Sequence, residues 1–131
     1  MQSFSIRTQK HTQLLNITRQ VQSAVFDIGL KNGVITVFIP HTTAGITINE
    51  NADPNVTADL ADALDRAVPW QANYKHREGN AAAHVKASIM GSAVQIIIEG
   101  GLLKLGTWQA IYFCEFDGPR LRNVWVMGVG Q

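Results

Sequence analysis

AVQIIIEGG (residues 93–101), LGTWQAIYFCEF (105–116) and RLRNVWVMGVG (120–130) follow one another with only glycine-bearing turns between them. The turns fall at Gly100 and Gly101 and at Asp117, Gly118 and Pro119. Runs of β-branched and aromatic residues broken this tightly leave no room for crossover helices, so the strands predict an antiparallel sheet. Working back, VITVFIP (34–40) is too β-branched for anything but a central strand, and GITIN (45–49) continues as another. The alternations at Phe4 and Ile6 and at Leu15 and Ile17 suit a strand pair at one end of that sheet. Three helices complete the pattern. Thr18 is positioned to cap one with Val21, Val25 and Ile28 inward and Gly29 at its end. Asp53 and Pro54 start a second, with Val56, Leu60, Ala63, Leu64 and Ala67 as its buried stripe. After the aperiodic loop WQANYKHREG, Asn80 is positioned to cap a third carrying Ala83, Val85, Ala87 and Ile89. The expected fold is a single α+β domain over residues 1–131: a mostly antiparallel sheet with helices packed on one face, and Leu60, Leu64, Ile97, Ile111 and Phe113 buried.

At 131 residues the chain is long enough to bury a core without a disulfide or metal, and 46% hydrophobic against 16% charged residues is globular composition. A net charge of +1 without basic blocks points away from nucleic acid and from an anionic membrane surface. No stretch approaches the length of a spanning helix, and a cytosolic location is expected. The single cysteine, Cys114, sits in an apolar run with no base beside it and reads as an inert buried thiol.

Three places depart from apolar-in, polar-out patterning. In HTTAGITINENADP (41–54), capping explains Asp53 and turn hydrogen bonds explain Thr42 and Thr43, but neither explains His41 or Glu50. In YKHREGNAAAH (74–84), His76 and His84 stand eight residues apart, which matches no standard zinc spacing. Glu78 and His41 would complete a mixed nitrogen and oxygen shell. In GTWQAIYFCEFDGPR (106–120), strand alternation gives Thr107, Gln109 and Glu115 a common face; Glu115 needs either an open sheet edge or an arginine such as Arg120 or Arg122. Trp70, Trp108 and Trp125 read as packing residues.

These three segments, with Lys86 after the second, resemble the YjbQ-like family, often labelled secondary thiamine-phosphate synthases, and the resemblance runs over nearly the whole chain. It implies a compact α+β fold, a homotrimer, and polar residues gathered in a cleft near the subunit boundary. It also implies a weak thiamine-phosphate synthase activity, joining a pyrimidine pyrophosphate to a thiazole phosphate. The sequence has no G-x-x-x-x-G-K phosphate loop, so phosphate would fall to Arg77, Lys86, Arg120 or to backbone amides at the helix starts near Asp53 and Asn80.

Two functions are open. In the enzyme, His41, Glu50, His76, Glu78 and His84 are the acid–base candidates, and His41, His76 and His84 converge to hold a divalent metal, zinc or magnesium. Thr42, Thr43, Asn49, Asn51, Asn80, Lys86, Thr107, Gln109 and Arg120 would then bind a phosphorylated or heteroaromatic substrate. In the alternative, the same cleft recognises a small metabolite and does no chemistry. A neighbouring subunit is expected to close the polar surface of Thr107, Gln109 and Glu115.

Overall fold

The structure is a computed structural model describing residues 1–131. Eight strands and three helices occur in the order β1 (Gln2–Arg7), β2 (Gln13–Asn16), α1 (Thr18–Ile28), β3 (Asn32–Phe38), β4 (Ala44–Glu50), α2 (Pro54–Ala67), α3 (Ala81–Met90), β5 (Ala93–Glu99), β6 (Leu102–Leu103), β7 (Gln109–Glu115) and β8 (Leu121–Gly130). They build two sheets, ordered β1-β8-β3-β5-β6 and β2-β7-β4, with every pair antiparallel. The fold is α+β, and all three helices lie to one side of the five-stranded sheet. On that face Ile35, Val37, Ile96, Ile98, Val124 and Val126 meet Val21 and Val25 of α1 and Ile46, Ile111 and Phe113 of the smaller sheet in one core. The outer face of the smaller sheet carries Ala110, Tyr112, Cys114 and Phe116, which pack on Ala83 and Ala87 of α3, with Leu64 and Trp70 alongside.

Sheet membership differs from the sequence expectation. β1 and β2 are not a pair: β1 lies on β8 and β2 on β7, in different sheets. The three late strands are likewise not neighbours, because β7 leaves for the smaller sheet while β5 and β8 flank β3. Buried positions in β5 alternate, so Ile96 and Ile98 enter the core while Ile97 points outward and is 60% exposed. Leu60 and Leu64 are half-buried, and α2 contains no fully buried residue.

Caps show a similar mixture. Asp53 accepts from the Asn55 N–H (2.9 Å) with Pro54 at the first helical position, as its sequence predicts. Thr18 does not cap α1. Its backbone N–H and hydroxyl both donate to Asn16 Oδ1 (3.0 and 2.7 Å), and its Oγ1 accepts from the Ile111 N–H (2.9 Å), tying the helix start to β7. Asn80 does not cap α3 either, since its Nδ2 donates to Asp117 Oδ2 (3.0 Å). On α3 the buried face is Ala81, Ala82, Ala83, Lys86 and Ala87, whereas Val85 and Ile89 are exposed. Methyl-sized side chains let the helix lie close on the smaller sheet, nearest β4. No helix is long and apolar enough to cross a membrane.

Candidate functional site

A buried ion pair organises the end of the molecule where β3 and β8 meet the start of β4. Glu115 at the end of β7 is completely buried, and Arg122 near the start of β8 nearly so. Arg122 Nε donates to Glu115 Oε1 (2.8 Å), and Arg122 Nη2 donates to Glu115 Oε2 and to Thr43 Oγ1 (2.8 Å). The Thr8 hydroxyl (2.7 Å) and the Asp117 N–H (3.1 Å) supply the remaining donors to the carboxylate. Burial alone would raise the Glu115 carboxyl, but these hydrogen bonds and the arginine charge outweigh it and hold it below its ordinary value. The arginine sought from sequence is therefore Arg122. The pair is satisfied within one chain, so Glu115 needs no neighbouring subunit to close it.

His41 leans on this pair. Its Nε2 accepts from the Asn123 N–H (2.9 Å), so that nitrogen carries no proton and Nδ1–H is the free polar edge of the neutral ring. Burial, with the Arg122 charge second, lowers its pKa against a smaller opposing effect of Glu115. Strand β3 delivers His41, and α3 faces it across a groove of about 490 Å³ lined by His41, Thr42, His84, Ser88 and Ser92 over small residues including Ala44 and Ala87. The groove is shallow because β4 runs tight against the end of α3. Ile46 N–H donates to the Gly91 carbonyl (3.1 Å), and a Cβ on Gly45 would stand 2.8 Å from that oxygen. His84 also borders an adjoining cavity of about 470 Å³ with Tyr74, Lys75 and His76. The His76 and His84 rings lie 5.1 Å apart, inclined at 62°.

Most of the candidate residues fall into two groups. His41, Thr42, His76 and His84 line adjoining hollows, with Thr43 buried behind them on Arg122. Asn49, Glu50, Asn51, Thr107 and Gln109 sit at the far end of the smaller sheet. Ala44 pairs with Glu115 and Glu50 with Gln109, and six residues of strand separate the two ends by about 20 Å. There Asn51 Oδ1 accepts from Asn16 Nδ2 (3.2 Å) and the Tyr112 hydroxyl (3.2 Å), Asn49 Oδ1 accepts from the Glu50 N–H (2.7 Å), and Gln109 Oε1 from the Gly106 N–H (2.8 Å). Glu78 is exposed on the loop, while Asn80 and Arg120 (3.0 Å each) converge on Asp117. Lys86 is 1% exposed and its Nζ is bound to Asp65 of α2 above the Phe116 ring, away from any phosphate in the groove. No three histidine, cysteine, aspartate or glutamate side chains are grouped closely enough to hold a metal ion, so the three-imidazole convergence expected from sequence reduces to the His76–His84 pair with His41 across the groove. Cys114 is buried, and burial pushes its thiol up to about 12, which leaves it without nucleophilic thiolate. Sequence reasoning missed Ser88, one turn beyond His84, and Ser92; serines after a helix-borne histidine carry no signal until the helix is docked.

Comparison with known proteins agrees with this architecture. The family model described as UPF0047 protein YjbQ-like matches residues 2–131. UPF0047 protein YugU of Bacillus subtilis is 46% identical over 131 residues, covering 99% of each chain. UPF0047 protein MJ1081 of Methanocaldococcus jannaschii is 46% identical over 128 residues, covering 98% of this chain and 93% of that one. Among solved structures, a YjbQ/UPF0047 family protein of Clostridium acetobutylicum superposes with a TM-score of 0.96 at 56% identity, covering 98% of this chain and all of the other. The Aeropyrum pernix protein APE1520 gives 0.94 at 36% identity, covering 99% and 98%. From residue 2 to residue 131, then, the chain belongs to the YjbQ-like UPF0047 family.

Proposed function

We propose that the protein is a small cytosolic enzyme that binds a phosphorylated metabolite in the His41–His84 groove and acts on it by proton transfer, with weak thiamine-phosphate synthase activity as one expression of that chemistry. The observation that carries this reading is that His84 borders two adjoining hollows, one shared with His41 and the other with His76. A neutral His41 presents Nδ1–H as a hydrogen-bond donor to a substrate oxygen, and burial beside Arg122 keeps it neutral. His84 and His76 are then the groups that take and return a proton, and the Thr42, Ser88 and Ser92 hydroxyls orient the substrate. The test supplies the pyrimidine pyrophosphate and the thiazole phosphate to purified protein and follows the joined product by mass spectrometry. Slow turnover that His84→Ala and His41→Ala each reduce at least about tenfold is expected. Turnover unchanged in both variants overturns the assignment.

A non-catalytic binding protein is the second reading. It is favoured by the absence of any carboxylate among the residues lining the two hollows, with Glu50 about 20 Å away along β4. Saturable binding of the same phosphates with no product would establish it.

For assembly we propose a cyclic homotrimer in which a second copy covers the outer face of the five-stranded sheet. Ile97, Met127 and Val129 are exposed there, with Phe38 and Trp125 stacked at 5.8 Å. Phe38 lies three residues before His41, and Trp125 two after the Asn123 whose amide holds that ring, so the rim of such an interface runs beside the groove. Light scattering giving a three-chain mass, and a single-chain mass for Trp125→Asp, is the expected result; a one-chain mass for the parent at micromolar concentration refutes it.

A further inference from the structure

Residues 54–79, from the start of α2 through the loop that leads to α3, are held to the rest of the chain by very little. Within this segment only Val68 is buried, whereas the shorter α1 alone buries Val21, Ala24 and Val25. Apart from the bonds that α2 makes to its own cap, Asp53, the segment has a single hydrogen bond to the remainder of the molecule, from Lys86 Nζ of α3 to Asp65 Oδ1. Its other ties are packing. Leu64 and Trp70 lie half-buried on the outer face of the smaller sheet, Trp70 meets the His11 ring edge-on at 4.4 Å, and His76 meets His84 in the same manner at 5.1 Å. Even under α2 the packing is open, with a hollow of about 270 Å³ bordered by Thr57, Ala58 and Ala61 on one side and Gln13 and Leu14 of β2 on the other. The ends of the segment suit a hinge: residues 51–53 form a short irregular link from β4, and Gly79, at φ +85°, turns the chain just before α3.

We propose that residues 54–79 form a cover that swings as a unit on these two links, with the Asp65–Lys86 pair as its latch. The Lys86 ammonium is buried above the Phe116 ring and Asp65 is its only hydrogen-bond partner, while the Asp65 side chain is 62% exposed. A buried cation with one partner draws that partner down, and the exposed end of the pair is the end that can let go. The segment supplies Asn73, Tyr74, Lys75 and His76 to the hollow of about 470 Å³ whose opposite wall is Ala81, His84 and Val85 of α3. Opening the latch therefore takes one wall away and bares His84. His84 and Lys86 stand two residues apart on α3, the first at the hollow and the second at the latch. The cover follows from the packing alone; that it admits substrate to His84 rests on the function proposed above.

The test uses the full chain and no substrate. Hydrogen–deuterium exchange is followed by mass spectrometry, and peptides from 54–79 are expected to exchange at least about tenfold faster than those from α1 and β3. Asp65→Asn should speed exchange across 54–79 by about threefold or more, with α1 and β3 unchanged and a thermal midpoint close to the parent's. Addition of about 0.5 M NaCl should move the parent in the same direction, because salt screens the exposed end of the latch. Diethyl pyrocarbonate should modify His84 faster in Asp65→Asn than in the parent, and His41, whose groove no residue of the segment borders, at the same rate in both. Exchange of 54–79 no faster than that of α1, an Asp65→Asn variant whose segment is as protected as the parent's, or a loss of protection spread equally over α1 and β3 overturns the cover. Faster exchange across 54–79 with His84 modified at the parent's rate overturns its link to the hollow. Turnover unchanged in His41→Ala and His84→Ala would instead remove the proposed chemistry and leave the cover standing.

Discussion

Replacing Arg122 by methionine keeps most of the aliphatic volume of the side chain and removes the guanidinium. Glu115 would lose its Nε contact at 2.8 Å and its Nη2 contact, Thr43 Oγ1 would lose its donor, and the carboxylate would keep only the Thr8 hydroxyl and the Asp117 N–H. A buried carboxylate deprived of its cation costs about 3–5 kcal/mol. For 131 residues the unfolding entropy near the midpoint is roughly 0.28 kcal/mol/K, so a loss of about 4 kcal/mol lowers Tm by about 15 °C. Urea and thermal melts followed by circular dichroism, at one fixed protein concentration because assembly adds its own stability, measure the change. Two further outcomes are specific to the charge. The deficit should shrink as pH falls, since an uncompensated Glu115 then takes up a proton and becomes neutral. The double variant Glu115→Met with Arg122→Met should recover much of the loss, because removing both charges also removes the desolvation cost. A single variant that loses less than about 1 kcal/mol, or a double variant as unstable as the sum of its parts, would refute the view that Glu115 relies on Arg122.

Gly118→Ala places a Cβ 2.3 Å from the Lys10 carbonyl and 2.8 Å from Glu115 Cγ, and should destabilise by at least about 3 kcal/mol in the same melts, with soluble yield as a second readout. Asp53→Ala removes the acceptor for the Asn55 N–H and should cost about 1 kcal/mol, whereas Asp53→Asn should cost less. Stability should fall with acidification in two stages. His41 and Glu115 are both held below their ordinary values, so in each case the unfolded chain takes up a proton first. The contribution of His41 is complete above pH 6.5 and drains as pH falls through its lowered folded value; that of Glu115 follows below pH 4.5. His41→Gln should abolish the first stage alone, and a first stage persisting in that variant would assign it to another group.

What was legible in the sequence is what is local. Asp53 followed by Pro54 marks a helix start that needs no tertiary information, and the run from Val34 to Pro40 identifies a strand buried in the middle of a sheet. Glu115 between Cys114 and Phe116 left two outcomes open, a sheet edge or an arginine partner, and the structure shows the second, with Arg122. Sheet membership was not legible. Gln2 pairs with Val126 and Asn16 with Tyr112, and no short-range pattern encodes partners so remote. The exposure of Ile97 was hidden for a different reason: in a uniformly apolar run no polar residue marks the outward positions. The candidate site was half legible. The histidines share a groove system, but residues 44–50 are extended, so polar groups adjacent in sequence lie at opposite ends of the smaller sheet's strand β4.

The position of β8 has a consequence for how the protein is made. It lies between β1 and β3, yet comes after both in the chain, so a nascent polypeptide that has emerged through β6 holds all four of the larger sheet's other strands with the place between β1 and β3 still unfilled. The smaller sheet is in the same situation, since β2 and β4 meet only through β7. Neither sheet can close while the ribosome is still decoding the first hundred or so codons, and β1, α1 and β3 must wait with apolar faces uncovered. Completion is thus a late, nearly all-at-once event in synthesis, and nascent chains stalled before residue 121 should be found bound to holdase chaperones instead of partly folded.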